Sequence, residues 1–210
     1  MDYMELSCIE YARALSSGDP VPGGGSASAL VGSIGMSLGQ MVGSLTLGKK
    51  KYKHVEKEIE IFMQRARDLK KRMMALAEED SKVFEPLAAA YRMPKNTPEE
   101  IAEKERVMEK VLKDACDVPL EIMETCCEAI DLLKEFAHKG TSIAISDAGV
   151  GAVFAKAALE AAALNVFINT KTMKNRKLAD AYNKEANMML IVYKPKADYV
   201  YGMVENRLRY

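Results

Sequence analysis

The feature that most constrains this chain is a four-three spacing of apolar residues that starts at Val55. Val55, Ile59, Phe62, Ala66, Leu69, Met73 and Leu76 follow it, and Val83 and Leu87 resume it. This is the pattern of a long helix with one buried seam. Glu56, Lys57, Arg65, Lys70 and Lys71 fill the opposite face. The spacing predicts a helix from about Lys53 to Ala90, bent at Pro86.

The remaining segments supply partners for that seam. Thr97-Pro98-Glu99-Glu100 is a capping box with proline at the first helical position. The helix it opens carries Ile101, Met108, Leu112 and Ala115, and Asp117-Val118-Pro119 is expected to interrupt or kink it. A further stretch with Leu120, Met123, Cys127, Ile130 and Leu133 runs to about His138, and Gly140 ends it. Ser26 to Leu47 is uncharged and rich in small residues, and Ala148 to Asn169 is alanine-rich with only Lys156 and Glu160 charged. Arg176 to Tyr210 is amphipathic, with Pro195 as a bend. Only Ser142-Ile143-Ala144-Ile145 has any strand character. No repeat or linker divides the chain. The expected fold is all-α, a single-domain bundle of six to nine helices spanning residues 1–210.

Composition narrows the function classes. Hydrophobic residues make up 49% of the 210, enough for a sizeable core. Thirty basic residues balance thirty acidic ones, so no large field points to nucleic acid or an anionic membrane. Met1-Asp2-Tyr3-Met4-Glu5 lacks the basic start and apolar core of a signal peptide. Cys8, Cys116, Cys126 and Cys127 form no Cys-x-x-Cys pair and read as reduced thiols of a cytoplasmic protein. His54 and His138 are far apart, so no usual zinc cluster is expected and no metal ligand is named.

Gly32, Gly35, Gly39 and Gly43 fall at helical spacing within the uncharged segment, a ridge against which another helix can approach closely. The segment is long enough to span a membrane. Its serines, Gln40 and Thr46 make it poorly lipophilic, and no second span is equally free of charge. A buried central helix, also suited to a subunit interface, is the preferred reading over a membrane hairpin.

Five features are candidates for chemistry. Pro20-Val21-Pro22-Gly23-Gly24-Gly25-Ser26 precedes the uncharged helix. It is either an anion cradle at a helix N-terminus or a tight turn with Ser26 as N-cap. Asp80 occupies a seam position, which makes it either a buried acid or base or a residue at the seam's end facing solvent. Ser146-Asp147 reads on its own as an N-cap and a first-turn acid. Asn165 and Asn169 share one helix face and need partners on so apolar a helix. Gly48-Lys49-Lys50-Lys51-Tyr52 and Lys95 are solvated cations, or contacts for an anionic ligand tail.

Taken in order, these pieces resemble the cyclodeaminase/cyclohydrolase family. Those that carry the resemblance are Pro20-x-Pro-Gly-Gly-Gly-Ser26, Leu45-Thr46-x-Gly48-Lys-Lys-Lys-Tyr52, Asp80-x-x-x-Phe84 and Pro94-Lys-Asn-Thr-Pro-Glu-Glu100. Val118-Pro-Leu120, Ser146-Asp147 with Val150, and Asn165-Val166-x-Ile168-Asn169 complete the set. The last forty residues match only in helical character, and the transferase domain of fused members is missing. The resemblance implies an all-helical homodimer acting on a folate substrate, without metal or redox cofactor. It implies methenyltetrahydrofolate cyclohydrolase or formiminotetrahydrofolate cyclodeaminase activity, with the lysine run and Ser146-Asp-Ala-Gly-Val150 closer to free-standing cyclohydrolases. Asp80 and Asp147 become the catalytic pair: one moves a proton, the other holds the cationic methenyl bridge. Ser26, Ser146, Asn165 and Asn169 become binding residues. Gly23, Gly24, Gly25, Lys49, Lys51 and Lys95 would receive the benzoyl-glutamate carboxylates. A non-enzymatic helical scaffold is the alternative of another class.

Overall fold

The four-three seam is buried as its spacing requires. In the computed structural model, which describes residues 2–210, Ile59, Ala66, Met73 and Leu76 are wholly inaccessible. The helix that carries them, α3, spans Glu56–Tyr91. The others are α1 (Cys8–Leu15), α2 (Gly24–Thr46), α4 (Pro98–Lys139), α5 (Ile145–Thr172) and α6 (Arg176–Arg209). Three short 3-10 turns accompany these six α-helices, and there is no strand among the described residues.

Successive long helices run antiparallel. Gly25 of α2 lies against Asp80 late in α3, and Gly43 lies against Met63 early in it. Across α3 and α4, Arg72 pairs with Glu121 while Lys139 pairs with Glu58. Helices α2 to α5 thus close an up-down ring, since α5 packs back on α2 as well as on α4. Helix α6 covers the outer side of α4 and α5. The ring encloses Met36, Met73, Leu133 and Phe136. At the α2–α5 crossing the backbones touch. A Cβ on Gly35 would lie 2.9 Å from the Gly151 carbonyl oxygen, and one on Gly151 would lie 2.7 Å from that of Gly35. Close helix approach here needs glycine on both sides.

Three prolines sit inside helices, and each removes one i→i−4 hydrogen bond. Pro86 and Pro195 are exposed, as are Lys82 and Ile191 four residues earlier, so water can reach the freed carbonyls. Pro119 is buried, and the expected interruption at Asp117-Val118-Pro119 does not occur: α4 runs through it for 42 residues. The carbonyl that Pro119 leaves unpaired belongs to Ala115, and Asn169 Nδ2 donates to it at 2.7 Å.

Local chemistry explains the other differences. Ser142–Ala144 is a 3-10 turn rather than a strand. The Thr141 N–H donates to Thr46 Oγ1 at 2.8 Å, and the Ser142 N–H donates to Tyr52 Oη at 3.0 Å. Side chains therefore take the bonds a strand would offer. The capping box at Thr97 and Glu100 forms as expected. Gly23, not Ser26, is the N-cap of α2, and Ala144 is the N-cap of α5, so Ser146 and Asp147 lie within its first turn. By length and composition alone, α2 and the 142–172 helical stretch could each cross a membrane; about half of each is buried in the fold.

Candidate active site

The glycine turn, Asp80 and the two asparagines converge on one cleft of about 230 Å³. Pro20 and Val21 form one edge, and Gly23, Gly24 and Gly25 form the next as α2 begins. Asp80, Val83 and Phe84 come from α3, Ala115 from α4, and Asn165, Ile168 and Asn169 from α5. The seam register delivers Asp80 here: Leu76 and Leu87 on the same stripe are core residues.

Among the described residues, Asp80 is the one charged residue lining the cleft. Burial pushes its carboxyl up to about 6, partly offset by a 2.8 Å hydrogen bond that its Oδ2 accepts from the Ser26 N–H. The anion at the N-terminus of α2 is therefore the protein's own carboxylate. Of the three glycines, Gly25 is required sterically, because a Cβ there would fall 2.0 Å from Asp80 Oδ1. The same addition at Gly24 would meet nothing closer than 3.6 Å, and at Gly23 nothing within 4 Å.

The asparagine amides commit their nitrogens to carbonyls, Asn165 to Ala161 at 2.9 Å and Asn169 to Ala115. Their Oδ1 atoms accept from no described protein group. The cleft thus presents acceptors, two amide oxygens and a carboxylate, and suits a ligand rich in N–H donors or carrying positive charge. The Ser26 hydroxyl does not line it. It is fully buried and lies 2.9 Å from the hydroxyl of Tyr11, the one buried residue of α1. Tyr11 was missed from the sequence; its only signal was an aromatic on an otherwise exposed short helix.

Ser146, Asp147, Lys49 and Lys51 gather at the opposite end of the ring. Asp147 is eighteen residues before Asn165 on α5, about 27 Å along the helix axis. Asp147 is half-buried and Ser146 is exposed. Lys49 Nζ donates to Thr141 Oγ1 at 3.1 Å. Tyr52 Oη accepts the Ser142 N–H, which favours the phenolate and lowers its pKa to about 8. Lys51 Nζ lies 5.6 Å from the Tyr52 ring centre. Lys95 lies elsewhere, on a depression between α4 and the end of α5 beside Lys104 and Lys174. Within this chain, then, Asp80 and Asp147 share no hollow.

Comparisons with known proteins agree on one lineage. Residues 7–188 match the family model described as formiminotransferase-cyclodeaminase. The methenyltetrahydrofolate cyclohydrolase of Methylorubrum extorquens is 38% identical over 94% of this chain and 95% of its own length. The formimidoyltransferase-cyclodeaminase of Mus musculus is 28% identical over 97% of the chain, which covers only 38% of that longer protein. The crystal structure of formiminotetrahydrofolate cyclodeaminase from Thermotoga maritima superposes with a TM-score of 0.80 at 25% identity, covering 98% of this chain and 96% of that one. By sequence and by fold, the chain belongs to the formiminotransferase-cyclodeaminase family.

Proposed function

We propose that this protein is a methenyltetrahydrofolate cyclohydrolase that works as a homodimer. The observation that carries the reading is Asp80: a half-buried carboxylate, the one charge in a cleft of acceptors, whose pKa desolvation raises to about 6. A methenyl bridge is cationic, and such a cleft stabilises it. A base poised near neutral pH suits the proton movements that hydration needs. Water adds to the methenyl carbon, forming a C–O bond, and its proton passes to Asp80. The protonated carboxyl then returns that proton to N5 as the C–N5 bond breaks, while the carbinol hydroxyl releases its own proton to solvent and its electron pair forms the C=O, giving neutral 10-formyltetrahydrofolate plus one proton that carries off the substrate's positive charge. No metal or redox cofactor enters these steps. Buried thiols at Cys116, Cys126 and Cys127 fit a reducing, cytoplasmic setting.

Dimerisation completes the site in this reading. Ala27, Val31, Ile34, Leu38, Met41 and Leu45 form a stripe along the outer side of α2, and each is at least partly exposed. Helix α5 carries a matching stripe through Val150, Val153, Ala157, Ala161, Leu164 and Ile168. Neither holds a charge, and Ile34 is 45% and Leu164 67% exposed. An uncharged two-helix face of this extent is suited to a second copy of itself. A two-fold axis lying in the face and across the helices reverses their direction. It brings the Asp80 end of one protomer over the Asp147 end of the other. The partner's Asp147 then holds the substrate cation while Asp80 moves the proton, and the partner's Lys49 and Lys51 meet the glutamate carboxylates.

The methenyl chromophore tests the activity. With methenyltetrahydrofolate its absorbance should fall well above the uncatalysed rate. A rise with formiminotetrahydrofolate and no accelerated fall with methenyltetrahydrofolate would establish the cyclodeaminase instead.

A further inference from the structure

Four of the five serines of α2 divide into two kinds. Ser28, Ser33 and Ser37 turn their hydroxyls onto carbonyls of their own helix, at 2.5, 2.8 and 2.8 Å. Ser26 does not. Its hydroxyl is met at 2.9 Å by the Tyr11 hydroxyl from α1, while its N–H is spent on Asp80. A carboxylate that accepts the N–H of a serine lies within reach of that residue's hydroxyl after a χ1 rotation. Here that second bond is not made, and the hydroxyl's partner is Tyr11.

We propose that Tyr11 is a positioning residue for Asp80: it holds the Ser26 hydroxyl away from the carboxylate, which keeps a single backbone donor. The rest of the N-terminal segment braces the same wall. Tyr3 Oη donates to the Val21 carbonyl at 3.2 Å, and the Met4 N–H donates to Glu78 Oε1 at 2.7 Å. Val21 edges the cleft, and Glu78 is two residues from Asp80. Helix α1 therefore acts on the chemistry without entering the cleft. The titratable groups around Asp80 are Tyr11 on α1 and Glu78 on its own helix. Where α2, α4 and α5 line the cleft they present only uncharged groups. A second, charge-assisted donor would stabilise the ionised form. Withholding it preserves the elevated pKa that burial creates.

The inference rests on Asp80 being the working carboxyl, so its test reads Asp80 directly and needs no turnover. The Asp80 carboxyl is followed by carbon NMR during a pH titration and assigned by its disappearance in Asp80→Asn. In Tyr11→Phe, which keeps the ring but frees the Ser26 hydroxyl, the midpoint should fall by about one unit. In Tyr11→Phe/Ser26→Ala no hydroxyl can turn, and the midpoint should stay at the parent's value. An unchanged midpoint in the single variant overturns the inference, as does an equal fall in the double variant, which would trace the shift to loosened packing. Neither result bears on whether the methenyl chromophore is consumed, so failure of the proposed activity is seen separately.

Discussion

Asn169 supplies to the Ala115 carbonyl the hydrogen bond that Pro119 cannot. The proline interrupts the ladder of α4 one turn after Ala115, and the amide nitrogen of Asn169 closes the gap at 2.7 Å from α5. The cleft asparagine is thus also a structural repair, and its amide orientation is fixed because a carbonyl cannot donate. Asn169→Ala should cost about 1–3 kcal/mol by leaving a buried acceptor unpaired. In the Pro119→Ala background, where the backbone N–H returns, the same change should cost clearly less. Urea unfolding of the four proteins measures the coupling; equal costs in both backgrounds would refute the repair.

Gly25 should tolerate no side chain. A methyl group there would overlap Asp80 Oδ1, so Gly25→Ala must push the carboxylate out of position. Turnover is expected to drop by about 100-fold with helix content unchanged. Gly23→Ala, which meets nothing within 4 Å, should lose far less. Paired rate and circular dichroism measurements make the comparison.

Asp80 links activity, stability and pH. Its folded pKa of about 6 lies above the ordinary aspartate value of 3.8, so the folded state holds this proton more tightly than the unfolded state. The group costs nothing below about pH 4. It subtracts stability as pH rises through 6, and the full cost above that, on the order of 3 kcal/mol, persists at neutrality. Asp80→Asn should therefore raise Tm at pH 7 and converge with the parent near pH 4, while turnover falls by about 100-fold or more. In the parent, kcat/KM should decline as pH drops below about 6. A Tm difference that does not depend on pH would contradict the assignment.

The uncharged face should not accept a charge. Ile34→Lys or Leu164→Glu should shift the protein to monomers in sedimentation analysis and abolish turnover, with the helices intact. Dimers that persist in both variants would remove this face as the interface.

Much of the fold was legible because helix period and capping are local. The seam beginning at Val55 located α3, and Thr97 with Glu100 located the start of α4. What misled was local information overridden from a distance. Pro119 looked like a break or a kink because the residue that repairs it, Asn169, is fifty positions away. Ser142 looked like part of a strand because its hydrogen-bond partner, Tyr52, belongs to another segment. For the site, the apolar stripe marked Asp80 as either a buried acid or base or a residue at its solvent-facing end, and the helical spacing put Asn165 and Asn169 on one face. Tyr11 was not legible, since no periodicity marks a single aromatic contact made by an eight-residue helix. Nor could spacing reveal that Asp147 lies a helix length from Asp80 within one chain, which is why the proposed pairing runs between two chains.

Subunit mixing tests that pairing most directly. Asp80→Asn and Asp147→Asn homodimers should each be nearly inactive. When subunits are exchanged at equal ratio, half the dimers are mixed, and each holds one site with both aspartates intact. About a quarter of parental turnover should return. Mixed dimers, verified by two affinity tags, that stay as inactive as their parents would contradict a site shared between protomers.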